Sequence, residues 1–227
     1  MVDRQAIVTI DGPSGSGKST ISRGLAARLN FTYLDTGAMY RAVGLQIERE
    51  GVELEDSEAL ANCLAGIELR LEPNQDDDIR IFLNGEDVSR AIRTPEMGLV
   101  ASRVSANPLV RAKLTRFQQE LGRKGGIVAE GRDTGSVVFP QAQFKFFLDA
   151  SAEVRARRRH AQLREKGQET DYQEILDQIK KRDYDDSRRV LAPLKAAEGA
   201  IVIDSSNMSP DQVIAAMLER IDPQKFR

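Results

Sequence analysis

The stretch Gly12-Pro13-Ser14-Gly15-Ser16-Gly17-Lys18-Ser19 decides the fold. It fits the pattern G-x-x-x-x-G-K-[ST], directly after the apolar run Ile7 to Ile10 and before Ile21, Leu25 and Leu29 at helical spacing. Glycines let backbone N–H groups turn inward around phosphate oxygens, and the helix that follows offers its positive end to the anion. That is a cradle for a nucleotide's phosphates. Lys18 is expected to reach the β- and γ-phosphates, and the Ser19 hydroxyl to sit on the Mg²⁺ they carry.

Outward from this loop, five short β-branched or aromatic runs are separated by longer helical stretches: Ala6 to Asp11, Phe31 to Asp35, Gly126 to Glu130, Phe144 to Asp149 and Ala200 to Asp204. Strands that alternate with helices predict an α/β chain with a five-stranded parallel sheet covered on both faces. Two helices carry start signals, Thr94-Pro95 and Asn107-Pro108. The second should present Leu109, Ala112, Leu114, Phe117 and Leu121 at helical spacing before ending at Gly122. Between Ile67 and Ser89 the period drops to two, with Ile67, Leu69, Leu71 and then Ile79, Ile81, Leu83 alternating with polar residues. The acidic turn Asn74 to Asp78 joins these runs and Asn84-Gly85 is a hairpin signal, so a small antiparallel insert is expected. From Ser151 to Arg189 the chain is helical and charged, and Arg155 to Lys166 reads as a solvated face, a nucleic-acid patch or a phosphate-facing stretch.

Composition limits the function classes. The 227 residues are 41% hydrophobic and 30% charged, which suits one globular main domain with smaller appendages and excludes disorder. The single cysteine, Cys63, forms no internal disulfide and no thiolate metal site, and is expected as buried packing. The start, Met1 to Gln5, lacks a signal peptide's pattern, and no apolar run approaches the roughly 18 residues that span a bilayer. A soluble, cytoplasmic protein is expected, with no membrane partner. A net charge of −2 gives no global attraction to nucleic acid, so any bound polyanion should be small.

The downstream sequence narrows the nucleotide-binding class. The Asn-Lys-x-Asp guanine reader of GTPases is absent, and Phe146-Phe147-Leu148-Asp149 runs into Ala150 rather than the Asp-Glu of mechanical ATPases. Arginines remain at strand and helix ends, among them Arg41, Arg132, Arg155, Arg158, Arg159, Arg182, Arg188 and Arg189. Planar guanidinium groups suit a cleft where two nucleotides concentrate negative charge. The lone histidine, His160, has no nucleophile and orienting partner around it and reads as a surface residue.

Three further stretches carry a resemblance: Leu34-Asp35-Thr36-Gly37-Ala38-Met39-Tyr40-Arg41, Glu130-Gly131-Arg132-Asp133-Thr134-Gly135-Ser136-Val137-Val138-Phe139-Pro140, and Lys181-Arg182-Asp183 followed by Ala192-Pro193-Leu194. With the phosphate loop, they make the whole chain resemble the bacterial-type cytidylate kinases, a nucleoside monophosphate kinase group of P-loop proteins. The resemblance implies a P-loop NTPase three-layer fold. The ATP-binding core would comprise residues 1–36, 109–156 and 173–227, with a monophosphate-binding domain over 37–108, its antiparallel insert over about 66–91, and a short helical lid over 157–172. It implies transfer of the ATP γ-phosphoryl group to CMP or dCMP with Mg²⁺, by a monomer acting on small nucleotides.

ATP would lie against Gly12, Pro13, Ser14, Gly15, Ser16, Gly17, Lys18, Ser19, Thr20 and Arg158, with Mg²⁺ on Ser19. The monophosphate would meet Thr36, Tyr40, Arg41, Ser102, Arg111, Arg132, Asp133, Arg182, Asp186 and Arg189. Lys18, Arg132, Arg182 and Arg189 would carry catalysis. Asp133 could accept from the exocyclic amine of cytosine but would face a carbonyl oxygen of uracil, which favours C over U. The residues themselves leave other readings open: Asp133 could pair with Arg132 or cap a turn, and Asp186 could pair with Arg182 or Arg189. A kinase for UMP, shikimate or a sugar acid, or a nucleotide-gated nucleic-acid binder, would use the same loop.

Overall fold

Runs such as Ile7-Val8-Thr9-Ile10 are β-branched at every position, which suits a strand buried on both faces. The computed structural model describes residues 6–74, 79–165 and 167–221. In chain order its elements are β1 (Ile7–Asp11), α1 (Lys18–Leu29), β2 (Thr32–Asp35), α2 (Thr36–Glu50), α3 (Ser57–Gly66), β3 (Leu69–Pro73), β4 (Ile79–Leu83) and β5 (Glu86–Asp87). Then follow α4 (Pro95–Val104), α5 (Pro108–Leu121), β6 (Ile127–Gly131), β7 (Phe144–Asp149), α6 (Ala152–Glu165), α7 (Tyr172–Ser187), β8 (Ile201–Asp204) and α8 (Pro210–Leu218).

Strands β2-β6-β1-β7-β8, in that spatial order, form one sheet, and every neighbouring pair is parallel. All five residues of β6 are buried, and successive side chains point to opposite faces, so both faces are covered. Central β1 is flanked by β6 and β7, with Ile10 opposite Glu130 on one side and Phe146 on the other. The chain crosses from β1 to one side of the sheet and later returns to the other, so a crevice opens beyond the carboxyl ends of these strands. The phosphate loop hangs there.

The insert is the antiparallel sheet β3-β4-β5. Asn84 and Gly85 both take positive φ, 50° and 85°, and form the two-residue turn between β4 and β5 that a right-twisted hairpin requires. Its first run is shorter than expected, since Ile67 caps α3 and the strand starts at Leu69. The expected acidic turn lies largely outside the described residues, as do Met1 to Gln5 and Lys166.

Thr94 and Asn107 cap α4 and α5 as the sequence signals require, accepting from the amides of Met97 and of Leu109 and Val110. The buried face of α5 differs from the expected one. Val110, Arg111, Leu114 and Gln118 point inward while Leu109 and Leu121 stay exposed. The inward positions include an arginine and a glutamine, so of the expected apolar stripe Leu114 alone is fully buried. Cys63 is buried in the core, which pushes its thiol up to about 11.

Candidate active site

The loop between β1 and α1 is shaped by close backbone approach. A Cβ on Gly12 would lie 2.1 Å from the Leu148 carbonyl oxygen of β7, so only glycine lets the chain leave the sheet here. Gly17 caps α1 in the left-handed region, φ 92°, with no side chain bonded to the first-turn amides. Those amides are free to bind an anion. Lys18 folds back over the loop instead of projecting outward. Its Nζ donates to the Pro13 carbonyl at 2.6 Å and approaches Ser16 Oγ at 3.4 Å. Burial, and then the nearby Arg132 charge, hold its pKa well below the ordinary lysine value. A bound polyphosphate would oppose both effects by supplying negative charge.

Glu130, at the end of β6, is the residue that sequence reasoning quoted without giving it a role. One carboxylate oxygen accepts from the Ser19 hydroxyl at 2.7 Å and from the Tyr33 hydroxyl at 2.5 Å. The other oxygen is buried and has no hydrogen-bond partner. Desolvation, reinforced by Asp35, pushes its pKa up, and Lys18 pulls it down. The signal was legible, because an acidic residue ends an apolar strand, but it was sought at Asp149 on β7. Ser19 Oγ and the Glu130 carboxylate are hard oxygen donors that fit Mg²⁺. Among the described residues no group of three or more His, Cys, Asp or Glu side chains could hold a metal by itself.

Two further clusters face this crevice. In the first, Arg111 of α5 ion-pairs with Asp133, both side chains being only 9% exposed, and donates to the Ser105 carbonyl at 3.3 Å. The Arg111 guanidinium lies 6.0 Å from the Tyr40 ring of α2. Burial pushes the Asp133 carboxyl up more than Arg111 pulls it down. Asp133 thus pairs with Arg111, not with Arg132. Its loop is fixed from below by Asp11, which accepts from the Thr134 amide and the Gly135 amide, both at 2.8 Å, and from the Thr134 hydroxyl at 2.7 Å.

The second cluster centres on Asp186 of α7, whose side chain is 1% exposed. It accepts from Arg132 Nε at 3.1 Å, ion-pairs with Arg189 and lies 3.9 Å from Arg182 Nε. Ser102 of α4 donates to Asp186 at 3.4 Å and accepts from Arg189 at 2.9 Å. Burial, and then Arg132, lower the Arg182 pKa to about 10, and its Nε has no hydrogen-bond acceptor. One carboxylate therefore holds three arginines together. An incoming phosphate would find guanidinium groups already assembled.

The remaining expected contacts are spread around these centres. Arg41 pairs with Asp35 at 3.0 Å, leaving its Nε buried without an acceptor. The Thr36 hydroxyl donates to the Glu130 carbonyl at 2.6 Å, tying α2 to β6. Thr20 is exposed on the first turn of α1. Arg158 donates to the Ser205 carbonyl at 2.6 Å and to the Ser16 carbonyl of the loop at 3.4 Å. Arg155 is buried too, so the basic stretch is not a uniformly solvated face. His160 meets the Thr170 carbonyl at 3.1 Å and has no catalytic neighbour.

The sequence profile of the cytidylate kinase family matches residues 8–223. The cytidylate kinase of Syntrophotalea carbinolica is 48% identical over 218 residues, 96% of this chain and 92% of the relative. The cytidylate kinase of Pasteurella multocida is 46% identical over 220 residues, 97% of this chain and 96% of the relative. The crystal structure of an uncharacterized protein from Eubacterium ventriosum, 14% identical, covers 96% of this chain and 98% of its own with a TM-score of 0.52, so the two share a fold. Relatives that align from end to end at nearly half identity leave one conclusion, that this chain belongs to the cytidylate kinase family.

Proposed function

We propose that the protein transfers the γ-phosphoryl group of ATP to CMP or dCMP, giving ADP and CDP or dCDP. The observation that carries this reading is the pairing of a phosphate loop with two buried, preassembled groups on the same crevice, one a carboxylate on an arginine and the other arginines on a carboxylate. Residues 37–108 receive the monophosphate, and 157–172 close over the nucleotides. Asp133, held by Arg111, accepts from the cytosine amine. Arg41, Arg132, Arg182 and Arg189 take the phosphate, and Asp186 accepts from ribose hydroxyls.

Ser19 and Glu130 would hold Mg²⁺, which would supply positive charge beside the nucleotide phosphates. Lys18 swings from the Pro13 carbonyl to the β- and γ-phosphates, whose negative charge favours its charged form. Arg132 and Arg182 stabilise charge on the moving group, and closure excludes water that would otherwise hydrolyse ATP. The acceptor phosphate is already ionised at neutral pH, so no general base is required. The reading takes the enzyme as a cytoplasmic monomer that uses free nucleotides. No helix among the described residues is long and apolar enough to cross a membrane.

The test is ADP release from Mg·ATP with CMP, dCMP, UMP, AMP, GMP and shikimate against a no-acceptor control. CMP and dCMP should lead. ADP release that ignores the acceptor would sink the reading.

A further inference from the structure

Helices α6 and α7 carry their own small core, Ala156, Leu163, Ile175, Leu176 and Ile179, separate from the main one. Elements packed on each other through a private core tend to move as a unit. This unit presents Arg182 and Asp186 to the substrate crevice, so its position relative to the phosphate loop governs whether both nucleotides are held in register.

Arg158 of α6 also reaches the loop, at the Ser16 carbonyl, but Arg155 is the side chain that ties the loop to α7 as well. Arg155, 4% exposed at the start of α6, donates through Nη1 to the Ser14 carbonyl at the crest of the loop at 3.0 Å. The same guanidinium grips Asp183 of α7 with two bonds, Nη1 to Oδ1 at 3.1 Å and Nη2 to Oδ2 at 2.5 Å. Its Nε donates to the Ala150 carbonyl at the end of β7, 2.8 Å away, which anchors the group to the sheet. Loop and helix also meet closely, since a Cβ on Gly15 would lie 3.4 Å from Arg155 Cβ. Asp183 immediately follows Arg182, and Asp186 lies three residues further along the helix. Two parallel bonds to a planar guanidinium fix direction as well as distance, unlike a point-charge pair.

We infer that Arg155 and Asp183 form a strut that couples the phosphate loop to the substrate-facing arginines of α7, so that each nucleotide's binding tightens the other's. Both are positioning residues. The inference rests on the functional reading above, because it needs two nucleotides in one crevice. A loop settled on phosphate holds Ser14 still, Arg155 follows Ser14, and Asp183 carries that constraint to Arg182 and Asp186. By linkage, CMP must tighten the ATP site by the same factor.

The test is the Kd of CMP by calorimetry, with and without saturating Mg²⁺ and β,γ-imido-ATP. Wild-type protein should bind CMP ~5-fold or more tightly when the analogue is present. Asp183→Asn should bring that ratio to one while the Kd of CMP alone stays within about 2-fold, because nothing that touches CMP has changed. Asp183→Glu keeps the anion and should restore the ratio. A merely structural residue would shift both affinities together.

A wild-type ratio of one or below, or an undiminished ratio in Asp183→Asn, overturns the inference. Should Asp183→Asn not fold at the assay temperature, hydrogen exchange in wild-type protein decides: CMP alone must slow exchange across residues 12–19, and unchanged exchange overturns the inference. No CMP binding to wild-type protein would overturn the functional reading along with it, a result distinct from the others.

Discussion

Asp133→Ala should be one of the most destabilising single changes in the crevice. The Arg111–Asp133 pair is nearly sealed from solvent, so removing the carboxylate leaves an uncompensated guanidinium in a low-dielectric site. Breaking such a pair costs roughly 3–5 kcal/mol, and the lower end applies here because Arg111 keeps its bond to the Ser105 carbonyl and its approach to Tyr40. At about 2–4 °C per kcal/mol for a chain of this size, the melting temperature should fall by roughly 6–12 °C. Replacing both members by apolar side chains, Arg111→Met with Asp133→Leu, removes the stranded charge and should return stability to within ~1–2 kcal/mol of wild type. Urea unfolding at pH 7, followed by circular dichroism, measures the three proteins, and CMP-dependent ADP release measures their function. The double variant should be stable and inactive on CMP. A single variant that loses less than ~1 kcal/mol, or a double variant no more stable than the single, would show that the pair is not buried as described.

Lys18→Ala should lower CMP-dependent turnover by at least ~10²-fold while leaving the circular dichroism spectrum unchanged, since the lysine's hydrogen bonds run to Pro13 and Ser16 of its own loop. Near-native turnover would break the proposed transfer mechanism. The same lysine should make ATP binding take up a proton in alkaline solution. Its pKa in the free protein lies below 10.5, the polyphosphate favours the charged form and raises it, and between the two values binding adds up to about one proton. Calorimetry near pH 9 in two buffers of different ionisation enthalpy should show that uptake, and Lys18→Met should abolish it. Glu130→Gln should weaken binding of the probe ion Mn²⁺ to the nucleotide complex ~10-fold by electron paramagnetic resonance. Because burial opposes ionisation of Glu130, its melting temperature should stay within about 3 °C of wild type.

The sheet was legible because each strand is a short apolar run closed by Gly or Asp, and the observed ends fall within one residue of the expected ones. The hairpin and both proline-led helix starts were legible for the same reason, since local backbone chemistry determines them. The contacts that build the site are long-range. Ser19 and Tyr33 meet on Glu130, and Arg155 reaches both Ser14 and Asp183, and no periodicity announces either meeting. The inward face of α5 was misread because Arg111 and Gln118 are buried for polar reasons that a count of apolar residues misses. The family resemblance did name Arg111, Asp133 and Asp186 as site residues, without saying that Arg111 would lie paired with Asp133 or that Asp186 would gather Arg132 and Arg189.

The place of β1 in the sheet bears on how the chain is made. It is made before both strands that flank it, β6 at residues 127–131 and β7 at residues 144–149. A strand whose neighbours are encoded more than a hundred residues later cannot be covered locally, and such parallel pairings form slowly and stay open to aggregation while they wait. The phosphate loop depends on the same wait, because Gly12 takes its shape against Leu148. A pause in translation before residue 127 would therefore hold β1 without either flanking strand, and one before residue 148 would also hold the phosphate loop without the backbone that Gly12 packs against.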